Sequence, residues 1–324
     1  MPTSRPARLW WLIPALGATA PAMAQPSYPA RNVQILVPYP AGGSIDVITR
    51  AMAARLTEMW GKNVVVDNRP GASGMIGTEI AVRAEADGHL LLGHTSSYPA
   101  TAAVREKLPF DPGRAIVPVG MFARAPMILA VHPSVPAKSV RELVALARKN
   151  SGSLNYSSSG TGGNNHFSGA LFAAAAGIKM VHIPYKGIAP AVTALAAGEV
   201  ELVIASAAAV NPQLRANRIR ALGVTSKEPT ALLPGLPAIA QSGVPGYTYE
   251  LWWGLFAPAG IPADRVNFIH ASVSRALASA EMKKFLEGES AEAWPLPMAQ
   301  FGDLLPSEIE RYRKAAKLAG VTAQ

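Results

Sequence analysis

The segment VQILVPYPAGGSIDVITRAM, residues 33–52, contains a strand, a loop and the start of a helix in direct succession. The stretch Val33 to Val37 is aliphatic and rich in β-branched residues, which favours a buried strand. The proline and glycine residues of positions 38–46 (PYPAGGSID) predict a loop. Apolar side chains then recur at helical spacing from Ile45, and Gly61 is placed to end the helix. This order predicts one β-loop-α unit of an α/β fold.

The same order recurs along most of the chain. A capping box at residues 139–142 (SVRE) predicts the start of a helix over 143–149. Strands that alternate with helices predict mainly parallel sheets flanked by helices. The other predicted strands cover residues 63–67, 90–92, 127–131, 154–156, 181–185, 200–204 and 219–224.

The composition excludes several classes of protein. Apolar residues make up 49% of the 324 positions and charged residues only 16%, so the chain can bury a large core and is not of the intrinsically disordered class. It has no cysteine, which excludes disulfides and thiolate metal sites. The net charge of +9 could favour anionic partners. The basic residues are scattered, however, so we do not expect a nucleic-acid-binding surface.

The N-terminus has the three parts of an export signal. Arg5 and Arg8 precede the apolar run Leu9 to Ala20, and small residues follow at Ala22 and Ala24. The apolar run has 12 residues, whereas a membrane-spanning helix needs about 20. The pattern predicts a signal peptide over residues 1–24 that is cleaved after Ala24, and therefore a periplasmic protein.

Two glycine-rich loops are the candidate ligand-binding elements. Gly42-Gly43-Ser44 precedes the first helix, and Gly160-Thr161-Gly162-Gly163 precedes a helix in the second half. Helix N-termini leave backbone N–H groups unpaired and carry partial positive charge, so the two loops together could hold a carboxylate. Asp46 could contact the ligand or cap the helix. Neither loop has a nucleotide-binding signature.

Several longer motifs resemble one family. The chain is similar to the periplasmic solute receptors of tripartite tricarboxylate transporters, often called Bug receptors, and the motifs follow the family's order over nearly the whole mature chain. They are PYPAGGSIDVITR (38–50), NRPGASGMIGTE (68–79), ADGHLLLG (86–93), LPFDP (108–112), LNYSSSGTGGNNHFSG (154–169), HIPYKG (182–187), PAIAQSGVPGY (237–247) and WWGLFAPAGIP (252–262).

The resemblance implies a Venus flytrap architecture. Two α/β domains would close on a small organic carboxylate, with residues 25–126 plus 250–324 in domain 1 and residues 127–249 in domain 2. It also implies a monomer that serves a membrane permease, or alternatively a sensor kinase, without cofactor, metal or enzymatic activity. The ligand-binding residues that it implies are Tyr39, Gly42, Gly43, Ser44, Asp46, Thr95, Ser96, Ser159, Gly160, Thr161, Asn164, Asn165 and His166.

Two of the departures from the family's pattern, at Tyr39 and Ala205, concern the ligand. Tyr39 stands where relatives often have phenylalanine, and its ring could pack on the ligand's carbon skeleton. Ala205 stands where many relatives have an aspartate that faces the ligand. The loss of that carboxylate argues against a ligand with an amino group.

An exported Ser/His hydrolase is the alternative function. One of the serines 157–159 could form a triad with His166 and Asp46, although no G-x-S-x-G motif surrounds them. His166 could also donate a hydrogen bond to a ligand or simply hold the loop. The adjacent Trp252 and Trp253 are expected to pack on opposite faces of a strand.

Overall fold

The computed structural model describes residues 28–322, so the predicted signal peptide lies outside the described residues. None of the helices within this range is both long enough and apolar enough to cross a membrane. The described chain contains ten α-helices, α1 Ser44–Trp60, α2 Met75–Val82, α3 Ser97–Val104, α4 Val140–Lys149, α5 Asn164–Ala176, α6 Ile188–Ala197, α7 Ala207–Arg215, α8 Ala263–Ala278, α9 Ala280–Gly288 and α10 Phe301–Ala319.

The same part of the chain forms ten strands that belong to one connected set of hydrogen-bonded pairs. They are β1 Val33–Val37, β2 Val64–Asn68, β3 Leu90–Thr95, β4 Ile116–Val131, β5 Asn155–Ser158, β6 Val181–Pro184, β7 Leu202–Ser206, β8 Arg220–Val224, β9 Glu250–Pro258 and β10 Glu292–Ala293.

The strands form a mixed sheet, and the predicted α/β class is confirmed. Parallel pairing is found in the two outer parts, β2-β1-β3 and β7-β5-β6. The centre is antiparallel, because β9 pairs with β3 and β4, and β4 pairs in turn with β7 and β8. The expectation of mainly parallel sheets therefore holds for the outer strands and not for the central ones.

Strand β4 is long and changes partners along its length. Its first part, from Ile116 to Pro126, pairs with β9, and its last part, from Met127 to Val131, pairs with β7 and β8. Bulges interrupt the pairing with β9 at two places, between Pro118 and Gly120 and between Met121 and Ala123. One continuous strand thus joins the two outer groups of parallel strands.

The helices pack as their sequence periodicity predicts. In α1, the side chains of Ile45, Ile48, Met52 and Leu56 are buried, and the helix ends at Gly61 with a left-handed φ of 63°. Ser139 caps α4 as predicted, whereas Glu142 binds the N–H of Lys138, the residue before the N-cap, instead of that of Ser139. The Ser139 hydroxyl accepts a hydrogen bond from the Glu142 N–H at 3.2 Å, and the Glu142 carboxylate accepts one from the Lys138 N–H at 2.7 Å.

Candidate functional site

A cavity lies at the carboxyl ends of β1, β3, β5 and β7, and it is called the ligand cavity below. It encloses about 520 Å³ of atom-free space, including the part open to solvent. Hydroxyl and amide groups alternate with apolar side chains on its wall. The lining residues are Tyr39, Pro40, Gly43, Ser44, Ile45, Thr95, Ser97, Met127, Ser159, Asn164, Asn165, Ile188, Ala189, Ser206 and Leu251.

Five helices begin at this cavity. Helices α1, α3, α5 and α6 contribute their first residues to the lining, and α7 contributes its N-cap residue, Ser206. Three of the five N-cap residues are glycines, and the side chains of the other two accept no hydrogen bond from their helices. Other side chains bind the first N–H of α3 and of α5, which donate to Thr95 Oγ1 and Ser97 Oγ. Each terminus therefore directs partial positive charge at the cavity. None of the fifteen lining residues is Asp, Glu, Lys, Arg or His, so the wall suits an anion without supplying a formal countercharge.

Asp46 shapes the first loop and does not line the ligand cavity. Its carboxylate accepts hydrogen bonds from the Gly42 N–H at 3.0 Å, from Arg50 Nε at 3.0 and 3.1 Å, and from Asn68 Nδ2 at 2.9 Å. Burial raises the pKa of Asp46, but the hydrogen bonds from Arg50, Gly42 and Asn68 outweigh burial, so the pKa lies below its usual value. Of the two roles open from the sequence, these contacts match the structural one.

His166 holds the second loop in a similar way. Its Nδ1 accepts a hydrogen bond from the Gly162 N–H at 3.0 Å, and its ring stacks on His182 with ring centroids 3.8 Å apart. Burial lowers the pKa of His166 to about 4. Burial and the neighbouring His166 ring together lower the pKa of His182 to about 3. Both imidazoles are therefore neutral at pH 7. His166 does not line the ligand cavity.

Asn164 connects the second loop to several other elements. Its N–H donates to Ser97 Oγ at 3.2 Å, and its side-chain amide donates to Thr95 Oγ1 at 3.4 Å. Its Oδ1 accepts a hydrogen bond of 3.0 Å from the Tyr249 hydroxyl, which also contacts the Tyr312 hydroxyl at 2.9 Å. The N-terminus of α5 is thus fixed against β3, α3 and α10 at once.

The loops that follow β2 and β5 meet directly. Ser73 Oγ donates to the Thr161 carbonyl at 2.9 Å, and Thr101 Oγ1 donates to the Gly162 carbonyl at 3.2 Å. A Cβ atom added at Gly160 would lie 2.6 Å from Ser73 Oγ, so a side chain there would force Ser73 to move, and the φ of 132° also favours glycine. The loop after β2 and helix α3 therefore both contact the glycine-rich loop after β5 in this structure.

The residues predicted from the sequence divide into two groups. Those that line the ligand cavity are Tyr39, Gly43, Ser44, Thr95, Ser159, Asn164 and Asn165. Those that surround it without lining it are Gly42, Asp46, Ser96, Gly160, Thr161, His166 and Ala205.

The structure places Ala205 differently from the expectation. Ala205 is fully buried in an apolar cluster with Ile128, Val192 and Val203, and Ser206 lines the cavity in its stead. Adjacent residues of a strand point to opposite faces, which explains the difference. The argument against a ligand with an amino group therefore loses its geometric basis.

The triad considered from the sequence is not assembled. Asp46 is bound to Arg50, Gly42 and Asn68, and His166 Nδ1 is bound to the Gly162 N–H. Of the serines 157–159, Ser158 contacts a histidine, His182, with Oγ 2.6 Å from Nε2, and Ser158 is fully buried. Among residues 28–322 no group of three His, Asp or Glu side chains could hold a metal ion.

Sequence reasoning missed eight of the lining residues. Ser97 is the second residue after β3 and Ser206 is the last residue of β7, and the rule that ligands bind at the carboxyl ends of strands could have identified both. Met127 and Leu251 belong to the antiparallel strands β4 and β9, which no local pattern placed at the cavity. The remaining four are Pro40, Ile45, Ile188 and Ala189.

Comparisons with known proteins identify the family. The sequence profile described as tripartite tricarboxylate transporter family receptor matches residues 48–320. The chain belongs to this family. Protein BugT of Bordetella pertussis is 31% identical over 310 residues, which are 95% of each chain. The family assignment agrees with the resemblance found in the sequence motifs, and the chain is a solute-binding receptor.

Solved structures of relatives superpose closely on this receptor. R. palustris Rpa4515 with adipate has a TM-score of 0.88 and 35% sequence identity, covering 91% of this chain and 99% of its own. MatC (Rpa3494) from Rhodopseudomonas palustris with bound malate has a TM-score of 0.82 and 27% identity, covering 89% and 99%. The Venus flytrap architecture of periplasmic binding proteins is therefore confirmed for this chain.

Proposed function

We propose that this receptor captures a small organic carboxylate in the ligand cavity and delivers it to a membrane permease. The observation that carries the proposal is the convergence of five helix N-termini on one cavity whose lining has no charged side chain. Backbone N–H groups, serine and threonine hydroxyls and asparagine amides can satisfy a carboxylate there by charge-assisted hydrogen bonds.

The apolar part of the wall supports the same class of ligand. Met127, Leu251 and Ile188 lie between the polar groups and suit a short carbon skeleton. The relatives Rpa4515 and MatC were solved with adipate and malate, which are both dicarboxylates. We propose Tyr39, Gly43, Ser44, Thr95, Ser159, Asn164 and Asn165 as the residues that contact the ligand.

Domain closure is part of the proposal. Domain 1 comprises residues 25–126 and 250–324, and domain 2 comprises residues 127–249. The exchange of strand partners between Pro126 and Met127 supports this boundary, since β4 pairs with β9 before it and with β7 and β8 after it. Contacts between the two domains include the hydrogen bond from Ser73 to Thr161. Such contacts would favour the closed state only when a bound ligand contacts both domains as well.

The remaining proposals concern location and partners. The family assignment and the N-terminal pattern support an exported, periplasmic protein that is cleaved after Ala24. We propose that it acts as a monomer, performs no covalent chemistry and serves the permease of a tripartite transporter or, alternatively, a sensor kinase.

Calorimetric titration of residues 25–324 tests the proposal. The ligands are adipate and malate, and the matched control is adipamide, which has the same carbon chain without charge. We expect micromolar binding of at least one dicarboxylate, about −8 kcal/mol, and no binding of adipamide. Equal binding of adipate and adipamide, or no binding of any carboxylate by ligand-free protein, would contradict the proposal.

A further inference from the structure

A second cavity adjoins the ligand cavity and is called the outer cavity here. It is formed by the loops that follow β1, β2, β5 and β6, and it encloses about 870 Å³ of atom-free space, including the part open to solvent. It shares Tyr39, Pro40 and Ser159 with the ligand cavity, so the two spaces meet along these side chains. A ligand held in the ligand cavity would enter the outer cavity if its chain passed Tyr39, which borders both spaces.

Lys186 gives the outer cavity its charge. Within the described range 28–322, it is the only residue lining either cavity whose side chain carries a formal charge. It is exposed, and it takes part in none of the ion pairs formed within residues 28–322. Its ammonium group is thus free to pair with an anion that enters this space.

The backbone on both sides of Lys186 is well fixed. The Tyr185 N–H donates to the Ser158 carbonyl at 3.0 Å, which continues the pairing of β6 with β5. Gly187 has a φ of 123°, and a Cβ atom added there would lie 3.1 Å from the ring of Pro40. The Lys186 loop is therefore packed against the first loop, and the fold sets the position of the Lys186 backbone at the outer cavity.

We infer that the outer cavity is a subsite for a second anionic group, and that the receptor selects an extended dicarboxylate. One carboxylate would be held by the uncharged donors of the ligand cavity and the other by Lys186. The ring of Tyr39 and the side chain of Pro40 lie between the two spaces and suit the methylene chain of such a ligand. This inference rests on the proposed function, because it requires the first carboxylate in the ligand cavity.

The experiment compares two probes of equal chain length. Adipate and hexanoate both have six carbons and differ in the distal carboxylate. The variants are Lys186→Gln and, as control, Lys179→Gln, which removes the same charge from another exposed lysine that lines neither cavity. We expect Lys186→Gln to weaken adipate binding about fivefold and to leave hexanoate binding unchanged, as the loss of one partly exposed ion pair predicts. Lys179→Gln should change neither affinity.

The outcomes separate the inference from the proposed function. An adipate affinity of Lys186→Gln equal to that of the wild type would overturn the subsite. Equal weakening of adipate and hexanoate would also overturn it, since Lys186 would then act on any anion. Failure of the wild-type protein to bind either probe, or malate, would instead overturn the proposed function itself. Thermal unfolding of the unliganded variants checks that the exposed substitutions leave the fold intact.

Discussion

Gly43 combines two properties that a single substitution can separate. It is the N-cap residue of α1 with an ordinary φ of −77°, and it lines the ligand cavity. A Cβ atom at this position would lie 3.7 Å from Ile188 Cγ2 and from the Pro40 carbonyl oxygen, which is normal van der Waals contact. The backbone therefore tolerates a side chain here, and aspartate is a favourable N-cap residue.

We expect Gly43→Asp to abolish carboxylate binding while the protein stays folded. The new carboxylate would occupy the donors of α1 and repel the ligand by about 4 kcal/mol at roughly 4 Å and an effective dielectric constant near 20, more than a hundredfold in Kd. Titration calorimetry measures the affinity, and thermal unfolding measures the stability. Gly43→Asn is the uncharged control and should weaken binding far less. An unchanged affinity of Gly43→Asp would remove the first loop from the site.

Strand β9 places its two tryptophans on opposite faces. Trp253 is buried in the main core cluster, and its Nε1–H donates to Ser44 Oγ at 3.2 Å at the edge of the ligand cavity. Trp252 belongs to a different cluster and donates to the Glu308 carboxylate at 3.0 Å. The sequence predicted the opposite faces, whereas the contact with Ser44 depends on the pairing of β9 with β3.

The hydrogen bond from Trp253 to Ser44 predicts that ligand binding changes the fluorescence emission of Trp253 and not that of Trp252. A ligand that binds the Ser44 hydroxyl should alter the hydrogen bond of Trp253 and shift its emission. Trp253→Phe should lose this ligand-dependent shift, while Trp252→Phe should retain it. Emission spectra with and without saturating adipate provide the measurement. A shift that disappears only in Trp252→Phe would contradict the contact.

The local elements were predictable to different degrees. Helix α1 and the N-cap of α4 follow from apolar spacing and from the pair Ser139 and Glu142, which act within a few residues of sequence. Tyr39, Gly43 and Ser44 of the site could be predicted because they lie in one loop after one strand. Met127 and Leu251 could not, since their positions depend on antiparallel pairing between segments more than 120 residues apart.

At the scale of the whole molecule, closure of the cleft depends on close contact between distant loops. Gly160 has a φ of 132° and approaches Ser73, whereas Gly152 has a φ of 79° and no neighbour within 4 Å of an added Cβ atom. Both positions are strained for alanine, but only Gly160 lies at the contact. Alanine substitutions at these two glycines can therefore distinguish the effect of local backbone strain on ligand binding from the effect of cleft closure.

We expect Gly160→Ala to weaken ligand binding and Gly152→Ala to leave it unchanged. Both substitutions should destabilise the protein by about 1–3 kcal/mol, because alanine is disfavoured at these φ values. Only Gly160→Ala should also hold the loops apart, which small-angle X-ray scattering would detect as a smaller decrease in radius of gyration on addition of ligand. Equal affinity losses in the two variants would indicate that strain alone is responsible.

The wall of the ligand cavity also determines how binding is coupled to protons. No lining side chain is an acid, a base or an imidazole, and the nearby His166 and His182 stay neutral because burial lowers their pKa values to about 4 and 3. Burial also raises the pKa of Tyr39, so its hydroxyl stays protonated. Capture of a fully ionised dicarboxylate near pH 7 should therefore exchange no proton with the solvent. The binding enthalpy should then be the same in buffers of different ionisation enthalpy, and capture of the solute would neither take up nor release a proton.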